Sequence, residues 1–288
     1  MADQDSTRIK SADRVLDVLE LLGDNPAGLK FPELVEALGI PKSSLLGLLK
    51  NLVARRYLVF VEAERRYYLG VQIFELGQSF LEHHPESREA KSAMEWVVQE
   101  VNETVQLAML LGTESVNLAK VDSGHMLRLQ SVVGRHFGAH ASSVGKAILS
   151  GLDDDEIQRR FGEGPFAALT PLTHRGLGPL LEDVRQIRAR GFSLDVEECT
   201  QGVFCVGVPI YGRAHEVTTA MSVTIPTIRL RRELLARALS CLAEASLQVS
   251  ARMGVRGRDP QLQGLTQLPV ATAALQNSPA EAYLQAMG

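Results

Sequence analysis

Within the first seventy residues, three short stretches carry apolar side chains at helical spacing. Two strand-like runs joined by a polar turn follow at once, and this order leaves few folds open. Ala12, Val15, Leu16, Leu19 and Leu22 occupy the i, i+3, i+4, i+7 positions of one helix face, and Gly23-Asp24-Asn25-Pro26 ends that helix. A second helix is expected from Pro32, whose missing N–H costs nothing at a first helical position, to Leu38, with Gly39 ending it. After Ile40-Pro41, a third helix from Lys42 to Arg55 would bury Leu45, Leu48, Leu49, Leu52 and Val53. Tyr57–Val61 and Arg66–Leu69 then read as a hairpin turned at Glu62-Ala63-Glu64-Arg65. Helix, helix, turn, helix, hairpin is the order of a winged helix-turn-helix, expected over residues 1–70.

Charge locates the face that would meet DNA. The chain carries a net charge of −4, so a nucleic-acid surface must be local. Residues 1–70 hold as many acids as bases, but between Ala37 and Val61 there is no acid, while Lys42, Lys50, Arg55 and Arg56 all lie there. The positive field therefore sits on the third helix, where phosphate contact requires it. Its solvent face would show Lys42, Ser43, Leu46, Gly47, Lys50 and Asn51, with Ser44 in the first turn. Small hydroxyls and the first N–H groups can donate to phosphates, and Lys50 or Asn51 can reach base edges. Arg65 and Arg66 are expected at the wing tip, and Arg8 with Lys10 would form a leading arm.

A linking helix is expected over residues 71–84, and a larger domain over 85–254, opening on a long amphipathic helix from about Ser87 to Asn102. Strand-like runs follow at Val105–Leu111, Val116–Val121, Leu127–Val133, Phe192–Val196, Val203–Ile210 and Val217–Ile225. Helical patterns at Ser143–Ser150, Asp154–Phe161, Leu177–Arg190 and Arg229–Arg252 separate some of them, which indicates an α+β domain with a mainly antiparallel sheet. Residues 255–288, rich in Gln, Ala, Leu, Pro and Gly, read as a flexible tail with one short helix near Ala280–Met287. No membrane-length apolar run and no secretory h-region are seen, and three scattered cysteines make no disulfide framework, so a reduced cytoplasmic protein is expected.

The run Gly39-Ile40-Pro41-Lys42-Ser43-Ser44, then Leu48-Leu49, Leu52 and Tyr57-Leu58, resembles the winged-helix domain of the IclR family of transcriptional regulators. The resemblance extends from about Arg8 to Met253 through three further segments: Gly138–Ala147, Phe192–Ile210 and Ala220–Pro226. It implies a GAF-like α/β effector-binding second domain, a homodimer or dimer of dimers, double-stranded DNA with a near-palindromic operator as partner, and no cofactor. Effector contact is implied for Phe137, Ser143, Val144, Asp195, Val203, Cys205, Ser222 and Thr224. The loop-to-helix turn at Ser142–Gly145 favours an anion such as a small organic acid, aliphatic or aromatic. Leu46 and Gly47 stand where the family usually has polar or bulky residues, Phe31 where a Ser or Thr cap is usual, and Thr224-Ile225-Pro226 where Ser-Gly-Pro is frequent.

Other chemistries are weaker on these residues. Ser143-Val144-Gly145-Lys146 matches the serine–lysine acyl-enzyme pattern, so a small-molecule hydrolase using Ser143 and Lys146 with a fused helical module is the alternative. Gly145-Lys146-Ala147 lacks the first glycine and the hydroxyl of a phosphate loop. Cys199 and Cys205 have no second pair to complete a zinc site, and His136 and His140 are better placed as pocket rim than as metal ligands. The leading expectation is a dimeric DNA-binding regulator, not an enzyme, whose operator affinity responds to an organic acid.

Overall fold

The structure, a computed structural model, describes residues 9–126, 132–257 and 259–287. Arg8 and most of the expected strand at Leu127–Val133 lie outside the described residues. The chain divides into two compact units, Met1–His84 and Pro85–Gly288.

Unit 1 runs α1 (Lys10–Gly23), β1 (Leu29–Lys30), α2 (Phe31–Leu38), α3 (Lys42–Ala54), β2 (Leu58–Val61), β3 (Arg66–Leu69) and α4 (Val71–Glu82). Val18, Leu22, Leu34, Ile40, Leu45, Leu49, Leu52 and Leu58 form its core. α2 starts at Phe31, so its cap position is Lys30 rather than Phe31, and Glu33 in the first turn accepts the Lys30 N–H at 2.7 Å. Gly39 closes α2 in the left-handed conformation, φ 61°, that favours glycine. The antiparallel sheet has the order β1-β3-β2.

In unit 2, a six-stranded antiparallel sheet has the order β6-β5-β4-β9-β8-β7. Its strands are β4 (Thr104–Leu111), β5 (Glu114–Val121), β6 (His136–Gly138), β7 (Ser193–Val196), β8 (Val203–Tyr211) and β9 (Val217–Pro226). The helices are α5 (Pro85–Val101), α6 (Ser143–Leu149), α7 (Asp154–Phe161), α8 (Leu177–Arg190) and α9 (Arg232–Arg252). Strand alternation sorts the side chains. Phe204, Val206 and Val208 of β8 and Met221, Val223 and Ile225 of β9 join the core built on α5 and α9. Their sequence neighbours Cys205, Ser222 and Thr224 therefore point to the opposite face, where α6 packs through Val144, Ala147 and Ile148 on Ala108 and Ala220.

The expected tail is a correction. Residues 255–288 form α10 (Pro260–Leu265), α11 (Leu268–Gln276) and α12 (Pro279–Met287) rather than a loose segment with one helix. Leu262, Leu265, Ala271, Leu275 and Ala280 join the main core. Arg232 on α9 clasps both carboxylate oxygens of Glu281. Helices of six to nine residues show too few apolar positions to reveal a period, and the prolines that suggested breaks stand at helix starts. No helix among the described residues is long and apolar enough to cross a membrane.

The second organising contact is ionic. Lys146 of α6 is fully buried, with Nζ 2.7 Å from Asp183 Oδ2 of α8 and 2.6 Å from Glu198 Oε1, just after β7. Burial pulls the lysine pKa down, but Glu198 and Asp183 outweigh it and hold the ammonium charged. Burial likewise raises Asp183, yet His174, Lys146 and Arg190 hold it well below the usual carboxylate range.

Two stability outcomes follow. Leu265→Ala is expected to destabilise by about 2–5 kcal/mol in urea unfolding, as a packed core position; a mobile tail would show no change. Lys146→Met leaves buried Glu198 without its cation and Asp183 with Arg190 alone, and costs about 3–5 kcal/mol near neutral pH. Asp183 sits below its ordinary 3.8, so it stabilises the fold above that pH in the wild type. The gap between wild type and variant therefore narrows on acidification, as the variant's carboxylates take up protons.

Candidate functional site

The buried set Leu45, Leu49 and Leu52 fixes how α3 lies on unit 1 and turns the remaining positions outward. Lys42, Ser43, Ser44, Leu46, Gly47, Lys50 and Asn51 are all exposed, and Leu46 keeps 41% of its surface. A Cβ added at Gly47 would meet nothing within 4 Å, so no contact within this chain requires glycine there. Leu46 and Lys50 border a groove of about 360 Å³ that separates α3 from Phe60 and Tyr67 of the hairpin. Arg65 is exposed at the hairpin turn in the left-handed region, φ 54°.

Arg66 differs from the expectation of a second wing-tip base. It is half-buried, donating from Nη1 to the Gly28 carbonyl at 2.5 Å and lying 3.5 Å from Glu33. Its register opposite Lys30 and Val61 turns it back onto the unit. It ties the hairpin to the strand before α2.

In unit 2, all eight residues expected around an effector, from Phe137 to Thr224, line a single cavity of about 30 Å³. Five elements supply them. Phe137 comes from β6, Ser143 and Val144 from the start of α6, Asp195 from β7, and Val203, Cys205, Ser222 and Thr224 from β8 and β9. Cross-strand register sets Asp195 beside Cys205 and Cys205 beside Thr224. The Cys205 thiol donates to Thr224 Oγ1 at 3.5 Å, and Gln106 Nε2 donates to the same oxygen at 3.3 Å. Ser142 caps α6, its Oγ accepting the Gly145 N–H at 3.1 Å. A Cβ at Gly145 would overlap the Ala139 backbone, so the loop seats on α6 only with glycine there.

Asp195 is the electrostatic centre of the cavity. Its Oδ1 accepts the N–H of Glu198 at 2.8 Å and of Cys199 at 3.1 Å. Burial, reinforced by the Glu198 carboxylate and opposed by Lys146, pushes its pKa up to about 7. Burial also raises the Cys205 thiol well above its ordinary value, so the sulfur is a neutral packing and hydrogen-bonding group.

Three lining residues were not anticipated, Gln106, Cys199 and Thr200, while Ser142 of the expected loop-to-helix turn also lines the cavity. Gln106 carried a signal, as a lone amide within the apolar run of β4. Thr200 stands in an irregular turn and carried none. The rim expectation for the histidines fails. His136 pairs with Glu114 at 2.9 Å on the surface, and His140 is buried between Phe161 and Phe166 with Nε2 at 3.1 Å from the Ala167 carbonyl. The serine–lysine reading fails as well. An acyl-enzyme lysine must give up its proton to act as base, whereas Lys146 is locked as an ammonium by two carboxylates.

His174, Asp183 and Glu198 bring three metal-capable atoms within 4.8 Å of one another. The Lys146 ammonium already occupies the same carboxylate oxygens at 2.6–2.7 Å, so a divalent ion there would face a buried like charge.

Residues 78–251 match the family model described as bacterial transcriptional regulator IclR C-terminal, and residues 11–62 match the IclR helix-turn-helix domain. The HTH-type transcriptional regulator XynR of Escherichia coli is 28% identical over 246 residues, covering 85% of this chain and 98% of its own. The HTH-type transcriptional regulator BhcR of Paracoccus denitrificans is 29% identical over 253 residues, covering 88% and 90%. An IclR homologue from Microbacterium hydrocarbonoxydans, solved in complex with 4-hydroxybenzoate, superposes with a TM-score of 0.74 at 20% identity, over 85% of this chain and 99% of its own. The relatives are named as regulators, and the chain belongs to the IclR family of transcriptional regulators.

Proposed function

We propose that this regulator binds a near-palindromic operator as a homodimer through α3 and the Arg65 turn, and that a small organic acid entering the 30 Å³ cavity changes operator affinity. The observation that carries the reading is the joint one: the basic, acid-free face of α3 is exposed, and the eight residues implied for effector contact surround one hollow. Organic-acid binding is supported by the hydroxyl and amide groups of Ser222, Thr224 and Gln106 and by the 4-hydroxybenzoate held by the Microbacterium relative. A dimer is supported by α4, which buries none of its side chains and leaves Phe74 63% and Phe80 47% exposed beside Val71 and Leu76. A cytoplasmic location belongs to the same proposal and is supported by its action on DNA.

The cavity's size gives the coupling a physical basis. Its 30 Å³ holds about one water, far less than an aromatic acid fills. The effector must therefore favour a widened form, and operator affinity shifts by the difference in ligand affinity between the two forms.

The direct test is a mobility shift of the full chain on its upstream intergenic DNA, titrated with 4-hydroxybenzoate and with aliphatic acids. A duplex shift insensitive to salt would sink the DNA assignment. Lys50→Ala is expected to weaken binding across sequences and lower the salt slope by about 1, as for one lost phosphate contact. Gly47→Ala should raise unit 1 stability by about 0.5–1 kcal/mol while reducing operator affinity; a variant that binds DNA as well as wild type would show that α3 does not approach the duplex at Gly47. Ser222→Ala should leave operator binding intact and weaken the effector response.

The effector response should also depend on pH. Below about 7, Asp195 is protonated and offers a donor; above it, a carboxylate repels an anionic ligand. Affinity for the acid is expected to fall as pH rises through 7, and Asp195→Asn should flatten that profile, read by isothermal titration calorimetry.

A further inference from the structure

Asn117 of β5 is 1% exposed, yet among the described residues neither its amide oxygen Oδ1 nor its amide nitrogen Nδ2 has a hydrogen-bond partner. A donor and an acceptor buried without partners are costly, and such a group in a folded chain calls for an explanation. The backbone of the same residue is paired. Its N–H donates to the Arg135 carbonyl at 3.1 Å, and its carbonyl accepts the Gly134 N–H at 2.8 Å. The deficit belongs to the side chain alone.

Strand alternation puts this amide on the effector face of the sheet. Ser115, two residues earlier on β5, points the same way, and its Oγ lies 2.9 Å from Ser142 Oγ at the start of α6. The irregularity in the β4–β5 ladder falls beyond Asn117, so the alternation from Ser115 to Asn117 is intact. Ala108, opposite Asn117 in that register, packs on α6 with Val144. Ser142 and Val144 line the effector cavity, as does Phe137, which pairs with Ser115. Asn117 lies beside this lining without reaching the 30 Å³ hollow. Its backbone is held to Gly134 and Arg135, which lead directly into β6, a strand of three residues at the edge of the sheet. A ligand that displaces this edge uncovers the amide.

We propose that Asn117 is a specificity residue of the effector site, and that the effector is a hydroxy acid whose hydroxyl meets this amide in the widened cavity. The proposal rests on the organic-acid reading above. A hydroxyl both donates and accepts, so it can satisfy Oδ1 and Nδ2 together. A hydrocarbon tail satisfies neither, and a carbonyl only Nδ2. The amide's bonds are unmade in the closed form and made in the liganded one. Asn117 therefore adds to the difference in affinity through which a ligand selects one form of the regulator.

The test is isothermal titration calorimetry on the full chain with three pairs of acids that differ by one hydroxyl. The pairs are glycolate and acetate, lactate and propionate, and 4-hydroxybenzoate and benzoate. In at least one pair the hydroxy acid should bind about tenfold more tightly than its partner. Asn117→Leu, close in shape but without polar atoms, should abolish that difference and leave the affinity of the deoxy member unchanged. Asn117→Ala should abolish the difference too. A merely structural amide would weaken both members alike. Equal binding within every pair, a hydroxyl preference that survives in a folded variant, or an equal loss for both members would each overturn the assignment and leave the organic-acid reading standing. Absence of saturable heat with all six acids would overturn that reading and this proposal with it.

Discussion

The effector-binding unit turns on one buried ammonium. An uncompensated charge in a protein interior is among the most costly things a fold can contain, so Lys146 can sit at 0% exposure only where two carboxylates converge on it. Those carboxylates come from different elements, Asp183 from α8 and Glu198 from the turn after β7. Each of the three positions thus requires the other two. The same helix that plants Lys146 among them carries Ser143 and Val144 into the 30 Å³ cavity, and β7 with the turn after it carries Asp195 and Cys199 there. The cavity's shape is therefore inherited from an ion cluster lying just outside it.

Burial first, and that cluster second, set the protonation of Asp195. Glu198 donates its backbone N–H to Asp195 while its own charge pushes the Asp195 proton affinity up. The two effects oppose, and with burial added the balance falls at about 7. A carboxyl poised there is a donor or a repelling charge according to conditions, which is a different object from a permanently ionised aspartate on a surface.

Much of this was legible in the sequence because strands have a period of two. Once Phe204, Val206, Met221 and Val223 are assigned to one face, Cys205, Ser222 and Thr224 must share the other. The α3 face was legible for the parallel reason at a period of 3.6. What escaped reading depends on contacts between distant segments. Nothing local in Arg66 says that the Gly28 carbonyl waits for it, and nothing in Lys146 says that Asp183 and Glu198 will enclose it. His140 looked like rim because its loop was placed correctly, but Phe161 and Phe166 take its ring into a different core. Of the C-terminal helices, α10 and α11 were missed because each buries only two residues, and their stability comes from packing on α9 rather than from their own pattern.

Those helices bear on how the cavity opens. The turn from Glu197 to Gly202 forms one wall through Cys199 and Thr200, and it is tied from several directions. Glu197 takes a left-handed φ of 57° and accepts the Gly202 N–H at 2.6 Å. Tyr283 of α12 donates to the same carboxylate while its ring lies 5.7 Å from that of Phe204. Thr170 and Thr173 donate to the Glu197 and Glu198 carbonyls at 2.7 and 2.6 Å. An acid too large for a 30 Å³ hollow must loosen this wall or the Phe137 strand facing it. Any tie that breaks is subtracted from the ligand's intrinsic affinity, and only the remainder can bias one form of the regulator over the other. If the effector enters as proposed, the wall's hydrogen bonds set both how tightly it binds and how large a signal it can send.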